Sequence, residues 1–203
     1  MHLTRLSLDP RDAKARRDLA DPYEMHRTLV RAFVADETQT PPRFLWRLET
    51  QAGWSDPQLI VQAVQPGNWA HLDDAGGYLK KAVETKVVEV QRLLQADARY
   101  RFRLQANPTV TREGKRHGVV GEEAQLEWLK RQGERWGFHV EAALVTASDR
   151  LASRKGQTRI ILQRAWFEGI LQARNVAVLS DALHAGIGPG KAFGCGLLSL
   201  ARI

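Results

Sequence analysis

"RYRFRLQANP" (99–108) sets the reading of the fold. Tyr100, Phe102, Leu104 and Ala106 recur at every second position, with Arg99, Arg101, Arg103 and Gln105 between them. A period of two describes a strand with one buried face and one wet face. The apolar face is expected to pack on helices, and the other to present three guanidiniums in a row. Such a row suits a solvated outer face or a surface that tracks phosphate. Asn107-Pro108 ends the strand.

Working outward, the alternation recurs in "HLTRLSLD" (2–9) and "RFLWRLE" (43–49), and "QLIVQAV" (58–64) is a short, mostly apolar strand. "PRDAKARRDLA" (10–20) reads as a polar connection, and a helix starts after it. "LKKAVETKVVEVQRLLQADA" (79–98) fits a helix or a strand plus a helical turn. "TVTREGKRHGVVG" (109–121) reads as a linker or hairpin, and the domain boundary is placed there, between residues 1–108 and 122–203.

The second half restarts the pattern. "EEAQLEWLKRQGERW" (122–136) reads as a helix with Leu126, Leu129 and Trp136 inward. "GFHVEAALVT" (137–146) and "TRIILQRAWFEGIL" (158–171) read as strands. "NVAVLSDALHAGI" (175–187) is a helix with Asn175 as N-cap. "GIGPGKAFGCG" (186–196) is a glycine-rich loop, and "LLSLARI" (197–203) a closing strand. Each half is thus strand, helix, strand, strand. That order predicts an α+β protein of two antiparallel sheets, each with helices on one face.

The totals narrow the partners. Thirty Lys and Arg against 23 acids give a formal charge of +7 and a pI of about 9.9, which favours an anionic partner such as nucleic acid. No apolar run approaches the roughly 18 residues of a membrane span, and "MHLTRLSLDP" lacks the apolar stretch of a signal peptide. One cysteine, Cys195, excludes an internal disulfide and fits a reducing cytoplasm; between two glycines it reads as a small buried residue. The six histidines show no HxH or HExxH spacing and CxxC is absent, so no metal or other cofactor is expected.

The candidate chemistry lies in "DLADPYEMHRTLVRAF" (18–33). Asp21 is a good N-cap, Pro22 suits the first helical position, and Glu24 stands three residues after the cap. Met25, Leu29, Ala32 and Phe33 form the apolar stripe, with His26 at its edge. Tyr23 and His26 are three apart and can neighbour each other. Arg27 and Arg31 lie further round. Imidazole transfers protons near neutral pH, a phenol shares that work, and guanidiniums neutralise phosphate. This set suits RNA cleavage by the 2′-hydroxyl, which needs two proton transfers and stabilised phosphoryl charge. A histidine at a stripe's edge also serves plain packing, and spacing alone does not decide.

Two further segments bear on binding. "DRLASRKGQTR" (149–159) is read as a basic hairpin for an RNA groove, with Arg150, Arg154, Lys155 and Arg159 as its cations and Lys155-Gly156 at the turn; a mobile charged hairpin is the plain alternative. The glycine-rich loop fails the Walker pattern, because Ala185 stands for its first glycine and Ala192 follows Lys191. Lys191 is a candidate phosphate contact.

Taken in order, "MHLTRLSLDP", "ARRDLADPYEMHRTL", "FLWRLE", "RYRFRLQANP", "FEG" and "GIGPGKAFGCGLLSL" resemble the CasE-type CRISPR-associated endoribonucleases. The resemblance implies two tandem ferredoxin-like, RRM-related domains. It implies metal-independent cleavage of CRISPR repeat RNA at the 3′ base of a hairpin, leaving a 2′,3′-cyclic phosphate. It also implies retention of the crRNA product beside other Cascade subunits. Tyr23 and His26 match the family's catalytic pair, Arg27 its phosphate-holding arginine, and Arg31 a position that tends to be basic.

Overall fold

The computed structural model describes residues 1–36, 38–49, 56–73, 76–155 and 158–203. The chain folds as two compact units. The first is Met1–Val88 with Ala192–Gly194, the second Glu89–Lys191 with Cys195–Ile203.

The first unit runs β1 (His2–Ser7), α1 (Ala13–Ala20), α2 (Pro22–Val30), β2 (Phe44–Glu49), β3 (Gln58–Ala63), α3 (Ala70–Asp73) and β4 (Glu84–Val87). The sheet order is β2-β3-β1-β4, with every neighbouring pair antiparallel. Strands β1 and β3 therefore lie side by side in the middle, the ferredoxin-like arrangement. Leu6, Phe44, Trp46, Leu59 and Val61 bury one sheet face, and Ala15, Met25 and Leu29 join them in the same core. Residues 10–20 are not the expected connection. Asp12 accepts a hydrogen bond from the Ala15 amide at 2.8 Å and starts α1. The face of α1 toward the core carries only Ala15 and Asp18 as buried residues, so its apolar period is faint in the sequence.

Asp18 is buried yet charged. It accepts a hydrogen bond from the Tyr78 hydroxyl at 2.8 Å, and Arg17 pairs with its other oxygen at 2.7 Å. A buried carboxylate persists only when its oxygens are satisfied in this way.

The second unit runs α4 (Val90–Leu93), β5 (Arg99–Ala106), β6 (Thr109–Arg112), β7 (Lys115–Gly118), α5 (Glu122–Arg135), β8 (Phe138–Lys155), β9 (Thr158–Ala173), α6 (Val176–Ala185), a 3₁₀ turn (Lys191–Phe193) and β10 (Leu198–Arg202). Its sheet order, β10-β5-β9-β8, repeats that of the first unit. The α+β class and the tandem ferredoxin-like architecture follow from this repetition.

The place of β5 differs from expectation. It pairs with β9 and β10, so it is the first strand of the second sheet and not the last of the first. The units part at Val88/Glu89, and residues 109–118 form the β6–β7 hairpin inside the second unit. Tyr100, Phe102 and Leu104 are buried, as the alternation required. Arg99 pairs with Glu141 at 2.6 Å and Arg103 with Glu168 at 2.8 Å, so two of the three outward arginines are ion-paired across the sheet. In α5, Trp128 and Leu129 are buried, whereas Leu126 and Trp136 are only partly covered. Asn175 caps α6 by accepting from the Val178 amide at 3.1 Å.

Gly169 sits opposite the first bulge in β8, where the register shifts between Val140 and Ala142. A Cβ there would collide with the Ala142 carbonyl oxygen, so only glycine lets the strands close.

Candidate active site

Helix α2 starts where its sequence says. The Asp21 carboxylate accepts from the Tyr23 amide at 2.9 Å, and Pro22 occupies the first turn. Met25, Thr28 and Leu29 are buried beneath it. Tyr23 and His26 are both partly buried, at the margin between that core face and solvent.

His26 is held by stacking. Its ring lies 5.1 Å from the Phe44 ring, with planes 21° apart. Phe44 stacks in turn on Phe33 at 4.8 Å, and Phe33 meets Trp69 edge-on at 5.8 Å. Each such contact contributes about 0.5–1.5 kcal/mol beyond area burial, so the imidazole has a fixed seat. The His26 Nδ1 atom is buried without a hydrogen-bond partner. Burial lowers the pKa of the ring, which favours the neutral form. A neutral imidazole is competent to take a proton, and, once protonated, to give one.

The two guanidiniums of α2 stand on its other flank. Arg27 is exposed and pairs with Glu24 at 3.1 Å. Arg31 is exposed at the helix end. Both line a cleft of about 780 Å³ together with Lys14 and Arg17 of α1, Thr28, Val34 and His71, and neither Tyr23 nor His26 is part of that lining. The helix therefore carries the proton-handling pair on one side and the cationic cleft on the other, with Arg27 four residues beyond Tyr23 at the crest.

The basic segment 149–159 is the far end of a long ribbon. Strand β8 reaches Lys155 and β9 begins at Thr158. The register sets Arg150 opposite Gln163, Ala152 opposite Ile161 and Arg154 opposite Arg159. Alternation puts Arg150 and Arg159 on one face. Arg150 and Arg159 are exposed, while Leu151, Ser153, Ile160 and Leu162 on the opposite face are partly or fully covered. The side chains of Arg154 and Lys155, and Gly156 at the expected turn, lie outside the described residues. Lys191 donates to the Gly188 carbonyl at 2.7 Å and so braces its own loop.

Gly194 in that loop has φ +80°, and a Cβ on it would come within 3.0 Å of the Trp46 ring. Cys195 beside it is fully buried, and burial pushes its thiol up to about 12, as suits a packing residue. Among the described residues no three His, Cys, Asp or Glu side chains gather in a way that would hold a metal ion. Among them, too, no helix is long and apolar enough to cross a membrane.

Sequence reasoning missed Lys14, Arg17 and His71. The available signal was Asp12, an N-cap three residues before Ala15, which marks α1 and so puts Lys14 and Arg17 beside α2.

The family model described as "CRISPR associated protein" matches residues 1–202. The chain is 35% identical over 215 residues to the CRISPR-associated endoribonuclease Cse3 of Thermus thermophilus, covering 99% of this chain and all of the relative. It is 29% identical over 197 residues to the Cascade subunit CasE of Escherichia coli, covering 90% of this chain and 93% of the relative. A solved structure of the CRISPR endoribonuclease Cse3 bound to a 19-nucleotide RNA superposes with a TM-score of 0.89 at 35% identity over the whole of both chains.

Proposed function

This chain belongs to the CRISPR-associated protein family, and we propose that it is a metal-independent endoribonuclease that cuts CRISPR repeat RNA at the 3′ base of a hairpin. It then keeps the crRNA and joins other Cascade subunits, in the cytoplasm. The relatives' names support the activity and the assembly. The single observation that carries the mechanism is His26, seated one helical turn from Tyr23 with a buried, unpartnered Nδ1.

The 2′-oxygen attacks the adjacent phosphorus, and the bond from phosphorus to the departing 5′-oxygen breaks. The products are a 2′,3′-cyclic phosphate and a 5′-hydroxyl. One proton leaves the 2′-hydroxyl and one joins the 5′-oxygen, so the sum is neutral. His26 moves one of these protons, and Tyr23 supplies the neighbouring hydroxyl that shares or orients it. Negative charge grows on the phosphoryl oxygens, and Arg27 at the crest of α2 answers it with a planar pair of donors. Arg31 holds phosphate beyond it. Arg150, Arg154 and Arg159 grip the stem through its backbone, as duplex RNA is held chiefly by shape and phosphate. Lys155 at the ribbon end and Lys191 in the glycine-rich loop are lesser phosphate contacts.

The test uses a repeat hairpin RNA in EDTA. Wild-type protein is expected to cleave it. His26→Ala, and a substrate with a 2′-deoxy at the scissile nucleotide, should give no product while binding stays near normal. Tight binding with no cleavage by the wild type would leave a hairpin-binding subunit without turnover. Cleavage only with added magnesium would remove the mechanism.

A further inference from the structure

The cleft beside α2 has a charge imbalance that its own side chains do not settle. Among the described residues its acids are Glu24 and Asp36, and both have partners. Glu24 pairs with Arg27 at 3.1 Å and with Arg17 at 3.7 Å. Asp36 accepts from the Thr38 amide at 2.8 Å and from the Gln39 side chain at 3.0 Å. Among the described residues, Lys14 and Arg31 have no ion-pair partner. Lys14 rests instead on the Tyr78 ring, its Nζ 5.3 Å from the centroid.

His71 completes the group, its Nε2 3.1 Å from the Thr28 carbonyl oxygen. Burial and then Arg31 lower the Lys14 pKa against the pull of Asp18, and burial lowers that of His71. Among the described lining residues Lys14, Arg17, Arg27 and Arg31 outnumber the carboxylates of Glu24 and Asp36, so the cleft is net positive and gains stability from an anion that enters.

The shape narrows the anion. A volume of about 780 Å³ is in the range of ligand sites. An A-form duplex presents its phosphates on a convex cylinder, which a concave cleft meets poorly. An unpaired strand bends into it. Among the described residues no Phe, Tyr or Trp lines the cleft, so these offer bases no stacking platform, and contact falls to the phosphates.

We infer that the cleft holds phosphates of the unpaired RNA strand adjoining the scissile bond, with Lys14 and Arg31 as its contacts; this rests on reading α2 as the cleavage helix. The cleft is thus a positioning site. It draws the strand taut across the crest of α2, and sequence does not matter to it.

The experiment compares three uncleavable 2′-deoxy hairpins: one blunt, one with a 5′ unpaired extension and one with a 3′ extension. Full-length wild-type protein should bind the 3′-extended RNA about tenfold more tightly than the blunt or the 5′-extended one. Lys14→Gln should bind the 3′-extended and blunt RNAs more nearly alike, with its affinity for the blunt RNA near that of the wild type. Its salt dependence on the extended RNA should fall by about 0.7 in slope, for one lost contact. Lys14→Arg should keep most of the preference. No preference by the wild type for the 3′ extension, or a preference for the 5′ extension alone, overturns the inference. So does an equal loss by the variant on all three RNAs. Wild-type cleavage of a 2′-hydroxyl hairpin in EDTA is scored separately. Failure there with the extension preference intact sinks the catalytic reading and supports the cleft.

Discussion

The imidazole of His26 lies over the ring of Phe44, 5.1 Å between centroids. The burial this provides keeps the imidazole pKa low. Thinning that cover should raise it. In Phe44→Leu, the His26 pKa is expected to move up toward the ordinary 6.5, and the limb of the pH–rate profile that reports it should move with it. Proton NMR titration of the imidazole checks the first, and single-turnover cleavage the second. A variant whose titration matches wild type would remove Phe44 as the cause.

Two histidines make the fold sensitive to mild acid. Burial lowers the pKa of both His26 and His71 in the native state. Unfolded, each titrates near 6.5. As pH falls through 6.5 the unfolded chain takes up protons first, so the native state loses ground. The loss continues downward until the native histidines also protonate, and it is absent above the window. Urea melts between pH 8 and 5 should show stability falling below about pH 6.5. His26→Gln and His71→Gln should each flatten part of that slope. An unchanged slope in both variants would assign the acid sensitivity to other groups.

What is legible in the sequence follows the range of each signal. Local signals hold: Asp21 and Asn175 cap the helices that their positions announce, and the alternation of Tyr100, Phe102 and Leu104 faces inward. Strand pairing is not local. Nothing in 99–106 says that its partners lie at 165–172 and 198–202, so sequence reasoning puts β5 in the wrong sheet. Helix α1 hides for another reason. Its core contact is small, and its buried Asp18 reads as polar until Tyr78, sixty residues on, is seen to satisfy it. The proton-handling pair is legible because i and i+3 on a capped helix are neighbours whatever the tertiary fold. The cleft is not, because His71 comes from a separate segment.

The ribbon face separates binding from chemistry. Arg150 and Arg159 stand exposed on one face of the ribbon. Arg150→Gln and Arg159→Gln are each expected to weaken hairpin binding and to lower its salt slope by up to about 0.9. The cleavage rate of the bound complex should stay within about twofold, since neither residue shares α2 with His26. Filter binding across salt concentrations and single-turnover kinetics at saturating protein make the comparison. A large fall in the bound rate would place the ribbon in the chemistry.

Tyr78 links the stability of α1 to the cleft, and two substitutions pull these apart. Its hydroxyl donates to the buried Asp18 at 2.8 Å, and its ring carries Lys14. Tyr78→Phe removes only the hydroxyl. It leaves Asp18 its ion pair with Arg17 and should cost about 1.5–3 kcal/mol, the range for a hydrogen bond to a charged group. At roughly 2–4 °C per kcal/mol for a chain of this size, Tm should fall by roughly 3–12 °C. The ring remains, so Lys14 keeps its seat and the preference for extended RNA should persist. Tyr78→Leu removes both. It should be at least as unstable, and well below its Tm it should bind extended and blunt hairpins more nearly alike. Thermal melts and the paired binding assay report the two effects independently. If Tyr78→Phe loses the extension preference as fully as Tyr78→Leu does, it is the position of α1 as a whole, rather than the seating of Lys14 on the ring, that shapes the cleft.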